Sequence, residues 1–149
     1  MFKPHREKEL GLSATINSLT TLGITLRQFL AELPVDETWI YPLDLALCEA
    51  ASNIIRHGYH DDPQARYRVH FSHDGQWVTV SLFDSGVPLP EEKRLPPVPD
   101  PDAPLELASL SEGGRGMQLI FSGVDRVSYQ QGETENQLTL VKVLPHFSG

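Results

Sequence analysis

Three short groups of residues in this 149-residue chain have types and spacings that can do chemistry together. Glu49, Asn53 and His57 recur at i, i+4 and i+8, so a helix through them carries all three on one polar stripe. An ionised carboxylate is costly to bury alone, so that stripe either lines a cleft, is fully paired, or faces solvent beside Arg56 and His60. Asp84-Ser85-Gly86 closes a β-branched, apolar run. An acidic residue at a strand end can accept a hydrogen bond from an exocyclic amine such as that of adenine, and a glycine lets a ligand come close. Gly113-Gly114-Arg115-Gly116 opens an apolar helical pattern. Free backbone N–H groups and the helix dipole there favour a phosphate. Taken singly, the second and third groups also have ordinary readings as a turn and a flexible loop end.

The elements that must position these groups can be read from periodicity. Residues from about Glu9 to Ile16 alternate as a short strand, and Leu19, Leu22, Leu26, Phe29, Leu30 and Leu33 then recur at helical spacing until Pro34. The stripe-bearing helix is apolar on its other sides, from Leu43 to Ile55, and is expected to be largely buried. It is placed from about Tyr41 to Gly58, because Pro42 is tolerated in a first turn and glycine can stop a helix. Tyr67 to Phe71 and Val78 to Leu82 alternate around Asp74-Gly75 as a β-hairpin. Seven of the twelve prolines fall between Pro88 and Pro104, which fits a long loop and no regular core element. A helix with Met117, Ile120 and Phe121 on one side follows, then strands near Val124 to Tyr129 and Gln137 to Leu144. The order β-α-α-β-β-loop-α-β-β predicts an α+β two-layer sandwich, a mixed, mainly antiparallel sheet with helices on one face.

Bulk properties narrow the function classes. The length suits one domain, taken as residues 1–149. A net charge of −8 with no Lys/Arg run longer than two argues against a nucleic-acid partner, so an anionic ligand must be held by local groups. The single Cys48 has no thiol to pair with and sits among apolar neighbours, which fits a core position in a reducing compartment. Trp39 and Trp77 are expected to be packing residues, and Glu91 to Arg94 a solvated loop segment. No apolar run reaches membrane-spanning length and no signal-peptide core follows Met1 to Glu9, so the expected address is cytoplasmic, with no membrane partner.

As an ordered set, Glu-Ala-Ala-Ser-Asn-Ile-Ile-Arg-His (Glu49 to His57), Phe-Asp-Ser-Gly (Phe83 to Gly86) and Glu-Gly-Gly-Arg-Gly-Met-Gln-Leu-Ile (Glu112 to Ile120) resembles the N-box and two glycine boxes of GHKL ATPases. The likeness is closest to the short branch of anti-sigma-factor serine/threonine kinases, which are similar to the histidine-kinase ATPase domain but stand alone. It implies a Bergerat-type ATP-binding fold with ATP and Mg²⁺ as cofactors. By the same resemblance Asn53 ligates Mg²⁺ and Glu49 takes the proton of the attacking hydroxyl. Asp84 reads the adenine amine, with Gly86 allowing the approach. Gly113, Gly114, Arg115 and Gly116 wrap the phosphates, Met117 completes the box, and residues 88–112 form the ATP lid. His57 either contacts phosphate or makes a structural hydrogen bond at the helix end.

The resemblance further implies a homodimer that phosphorylates a STAS-type anti-sigma-factor antagonist and sequesters a sigma factor. Val87-Pro88 stands where many histidine kinases have a second glycine, which points to the anti-sigma branch and away from sensor kinases. Two rival functions remain open at this level: a nucleotide-gated switch that grips a partner without transferring phosphate, and an ATPase using water as acceptor.

Overall fold

The alternation and helical periodicities place one apolar face on every element, and the computed structural model, which describes residues 6–94 and 114–145, brings those faces together. Five strands are ordered β1-β2-β3-β5-β4: β1 (Arg6–Ser13), β2 (Arg66–His73), β3 (Trp77–Asp84), β4 (Arg126–Gln131) and β5 (Asn136–Val143). Helices α1 (Asn17–Leu30), α2 (Glu37–Asn53) and α3 (Gly114–Gly123) cover one face of this sheet. The sandwich is therefore as expected, but all four strand pairings are antiparallel, so the described sheet is not mixed.

Strand alternation sets the inner layer. Tyr67, Val69 and Phe71 of β2, Val78, Val80 and Leu82 of β3, and Leu138 and Leu140 of β5 are buried. Against them lie Leu22, Leu26, Phe29 and Leu30 of α1 and Leu43, Leu47, Ala50 and Ala51 of α2. Full burial of each large aliphatic side chain contributes about 1.5–3 kcal/mol, so this layer is the main source of stability. Arg27 ties α1 to α2 by bonding Glu37 at 2.8 Å and Asp44 at 2.6 Å. The bonds to Glu37 and Asp44 hold the guanidinium pKa above its ordinary value, and the bond from Arg27 holds the Glu37 carboxyl below its own.

Helix α2 starts earlier than its proline suggests. Asp36 has extended backbone and its carboxylate accepts from the Trp39 amide at 3.2 Å, which caps the helix a full turn ahead of Tyr41. Pro42 thus lies inside the helix, and its own carbonyl faces the close crossing with α3. A Cβ on Gly123 would stand 3.2 Å from the Pro42 carbonyl carbon and 3.2 Å from the Ala46 Cβ, so only glycine lets α3 approach there. Replacing Asp36 with alanine is expected to lower stability by about 1 kcal/mol, seen as an earlier midpoint in urea unfolding. An unchanged midpoint would mean that tertiary packing alone fixes the start of α2.

Two smaller expectations change. Cys48 is half-buried, its thiol donates to Asp44 at 3.5 Å, and burial followed by the charge of Asp44 pushes its pKa up to about 12, which leaves it inert. Trp39 packs and donates through Nε1 to the Val143 carbonyl at 3.0 Å, whereas Trp77 is exposed. No helix among the described residues is long and apolar enough to cross a membrane.

Candidate functional site

The helix carrying Asn53 and the strand ending at Asp84 converge on one cleft. Past Asn53 the helix widens into a π-turn, Ile54–Gly58, a form that often marks functional positions. Asn53 and His57 both line the cleft, His57 from an exposed position. Glu49, one turn back, is half-buried, makes no hydrogen bond among the described residues and is not a wall of the cleft. The expected stripe is thus split: its last two members face the cleft and its carboxylate stands outside.

Opposite, Asp84 is 7% exposed at the end of β3 and lies across the sheet from Asn136. Its Oδ1 accepts from the Gly86 amide at 2.9 Å and from Asn136 Nδ2 at 3.2 Å, while Oδ2 has no hydrogen bond among the described residues. Burial pushes the Asp84 pKa up; the two donated hydrogen bonds oppose this, and nearby Glu135 adds to it. A buried acceptor oriented by its neighbours, with one oxygen left over, suits a ligand donor.

The turn after Asp84 is fixed from several sides. Asn136 Nδ2 also reaches the Gly86 carbonyl at 3.0 Å, and Tyr59 Oη accepts from the Ser85 amide at 2.7 Å. Behind the sheet, the Arg68 guanidinium stacks 4.0 Å over Phe83 and bonds Glu9 and Glu135. Gly86 also has a packing reason to be glycine. A Cβ there would stand 2.6 Å from the Gly58 carbonyl carbon, and Val87 N donates to the Gly58 carbonyl at 2.8 Å. The Cβ direction of Gly86 is taken by the π-turn, so this glycine joins the strand end to the helix end.

Most of the remaining walls are apolar. Met117 and Ile120 of α3 are buried and line the cleft, and Asn53 Nδ2 donates to Met117 Sδ at 3.7 Å. Gly114, Arg115 and Gly116 form the first turn of α3, while Gly113 and most of the expected lid lie outside the described residues. The cleft holds about 130 Å³, room for about four waters at liquid density, which is larger than a lone ion needs. Among the described residues no group of three or more His, Cys, Asp or Glu could hold a metal, so a hard cation would need a ligand's own oxygens and water beside Asn53.

Several contributors escaped the sequence reading. Tyr129 lines the cleft, and its hydroxyl accepts from the Leu89 amide at 2.8 Å. Lys93, expected to be solvated, is half-buried and lines the cleft too, on a single 3₁₀ turn, Glu91–Lys93. Asn136 and Tyr129 did leave a faint signal, since they share the inward parity of Leu138 and Leu140. Lys93 left none.

The sequence pattern of the histidine kinase-like ATPase domain matches residues 12–142. No curated protein matches the chain. A crystal structure of the RsbU and RsbW domains of Rv1364c from Mycobacterium tuberculosis superposes with a TM-score of 0.64 at 23% identity. The match covers 93% of this chain and 32% of that one, and at such identity it supports the fold alone.

Proposed function

The chain belongs to the histidine kinase-like ATPase domain family, and from that premise we propose that its cleft binds ATP and that the protein is an anti-sigma-factor serine/threonine kinase. In this reading it is one ATPase domain with a lid from about residue 88 to 112. The observation that carries it is Asp84: a buried carboxylate at the floor of an apolar cleft, one oxygen fixed by Gly86 and Asn136, the other open to the amine of adenine.

The remaining roles are those the resemblance implies for residues at these positions. Asn53, on the wall facing Asp84, would offer its amide oxygen to Mg²⁺, and the metal when bound would supply positive charge beside the phosphates. Backbone amides in the first turn of α3, from Gly114 to Gly116, would receive the phosphate oxygens. Met117 and Ile120 keep water from the base. In transfer, a seryl oxygen of the antagonist attacks the γ-phosphorus, the bond to the β-phosphate bridging oxygen breaks, and ADP leaves. The seryl proton passes to Glu49, whose place beyond the cleft wall leaves room for a protein substrate to approach. By resemblance the acceptor is a STAS-type protein, the sequestered partner a sigma factor, and the active form a homodimer.

Glu49→Gln is expected to slow phosphoryl transfer to the antagonist by about 10²-fold while ATP affinity stays within about twofold. Radiolabelled transfer in single turnovers checks this, and an unchanged rate would remove Glu49 as the base. One observation favours the switch reading: Glu49 is not a wall of the nucleotide cleft. ATP that stays bound to the wild type without transfer to any antagonist would support that reading.

A further inference from the structure

An anionic nucleotide entering this cleft meets an unfavourable field, because the chain carries −8 overall and the cleft's own carboxylate is Asp84. Some local cation must offset that repulsion. Among the described residues lining the cleft, Lys93 is the only lysine or arginine. Its ammonium makes no hydrogen bond or ion pair among the described residues, although Glu91 and Glu92 are its neighbours in the chain. A half-buried lysine that declines two adjacent carboxylates and lines a pocket instead is placed for a ligand.

The backbone holds it there. Pro90 enters the turn with φ −57° and ψ 145°, and the Lys93 amide bonds the Pro90 carbonyl at 2.9 Å. Arg94 then anchors the turn: its Nε donates to the Leu89 carbonyl at 2.8 Å, Nη2 to Gln131 at 2.9 Å, and its guanidinium lies 4.8 Å over Tyr129. Arg94 is thereby committed to the protein, leaving Lys93 as the available charge among the described residues lining the cleft. Because the turn is fixed before ligand arrives, little ordering entropy opposes the contact. A lysine ammonium is a compact, strongly hydrated charge whose best partner on a nucleotide is a phosphate oxygen, not the neutral base.

Building on the ATP reading above, we propose that Lys93 adds a side-chain charge to the phosphate contacts made by the first turn of α3, so that the cleft selects nucleotides over nucleosides. Calorimetric titrations of wild type, Lys93→Met and Lys93→Arg with adenosine, ADP and ATP test it, with far-UV circular dichroism to confirm folding and Lys8→Met as a surface control. The expected result is about a tenfold loss of ADP and ATP affinity in Lys93→Met, adenosine affinity within about twofold, substantial recovery in Lys93→Arg, and no effect of Lys8→Met. Equal losses for all three ligands, or none for any, would overturn the assignment. Wild-type protein that binds neither adenosine nor ATP would overturn the ATP reading itself, which the wild-type titrations alone reveal.

Discussion

Asp84→Asn is expected to weaken ATP binding by about 100-fold or more while the protein stays folded. The substituted amide oxygen can still accept from the Gly86 amide and Asn136 Nδ2, the two donors that now hold Oδ1. Held that way, its NH₂ group replaces Oδ2 and faces the adenine amine, donor against donor. The ligand loses a charge-assisted hydrogen bond and leaves buried donors unmatched, an effect of about 3 kcal/mol. Alanine is a poorer probe, because it would leave both protein donors without their acceptor.

The same variant carries a pH signature. Burial holds the folded-state pKa of Asp84 above its ordinary value. Its contribution to stability is therefore whole below the unfolded pKa and is lost as pH rises through the raised folded one. A neutral asparagine has no such loss. Thermal unfolding should thus show Asp84→Asn gaining on the wild type as pH climbs out of the carboxylate range. ATP affinity of the wild type runs the other way, because binding uses the carboxylate, and falls as pH drops through the raised value. A variant whose melting temperature tracked the wild type at every pH would show that Asp84 titrates normally.

Gly86→Ala is expected to cost about 2–3 kcal/mol of stability and most of the nucleotide affinity with it. The added methyl would stand 2.6 Å from the Gly58 carbonyl carbon and 3.0 Å from its Cα. Both neighbours are backbone atoms and neither can rotate away, so the strand end must move off the π-turn. That movement breaks the bond from Val87 N to the Gly58 carbonyl and carries Asp84 away from Asn53. Ser85→Ala is the matched control: its hydroxyl bonds the Thr134 carbonyl at an exposed position, and its loss should stay within about 1 kcal/mol. Urea unfolding and ATP titration of both variants decide the matter. Wild-type behaviour of Gly86→Ala would mean that the two segments are not rigidly joined.

What was legible in the sequence and what was not divides along contact range. The hairpin from Arg66 to Asp84 and the order of elements are local facts, written in alternation and turn residues, and they were read correctly. The start of α2 misled because a proline signal competed with an aspartate cap, and the cap, which bonds the Trp39 amide, prevailed. Asn53, His57 and Asp84 were legible as cleft residues because their chemistry is unusual on otherwise apolar elements, and Met117 because it ends the glycine-rich box. The steric role of Gly86 was not, since Gly58 meets it only after the chain has made a hairpin. Lys93 was likewise hidden: its turn is held at the cleft by the tie between Leu89 and a strand near the other end of the chain.

The central claim is that the cleft between Asn53 and Asp84 is a nucleotide site. Titrating purified wild-type protein with ATP by calorimetry, with and without Mg²⁺, tests it most directly. The account predicts saturable binding of one ATP per chain that tightens when Mg²⁺ is present. A folded wild-type protein that releases no heat and shows no binding with ATP in either condition would contradict it, leaving a histidine kinase-like fold that acts by gripping a partner protein.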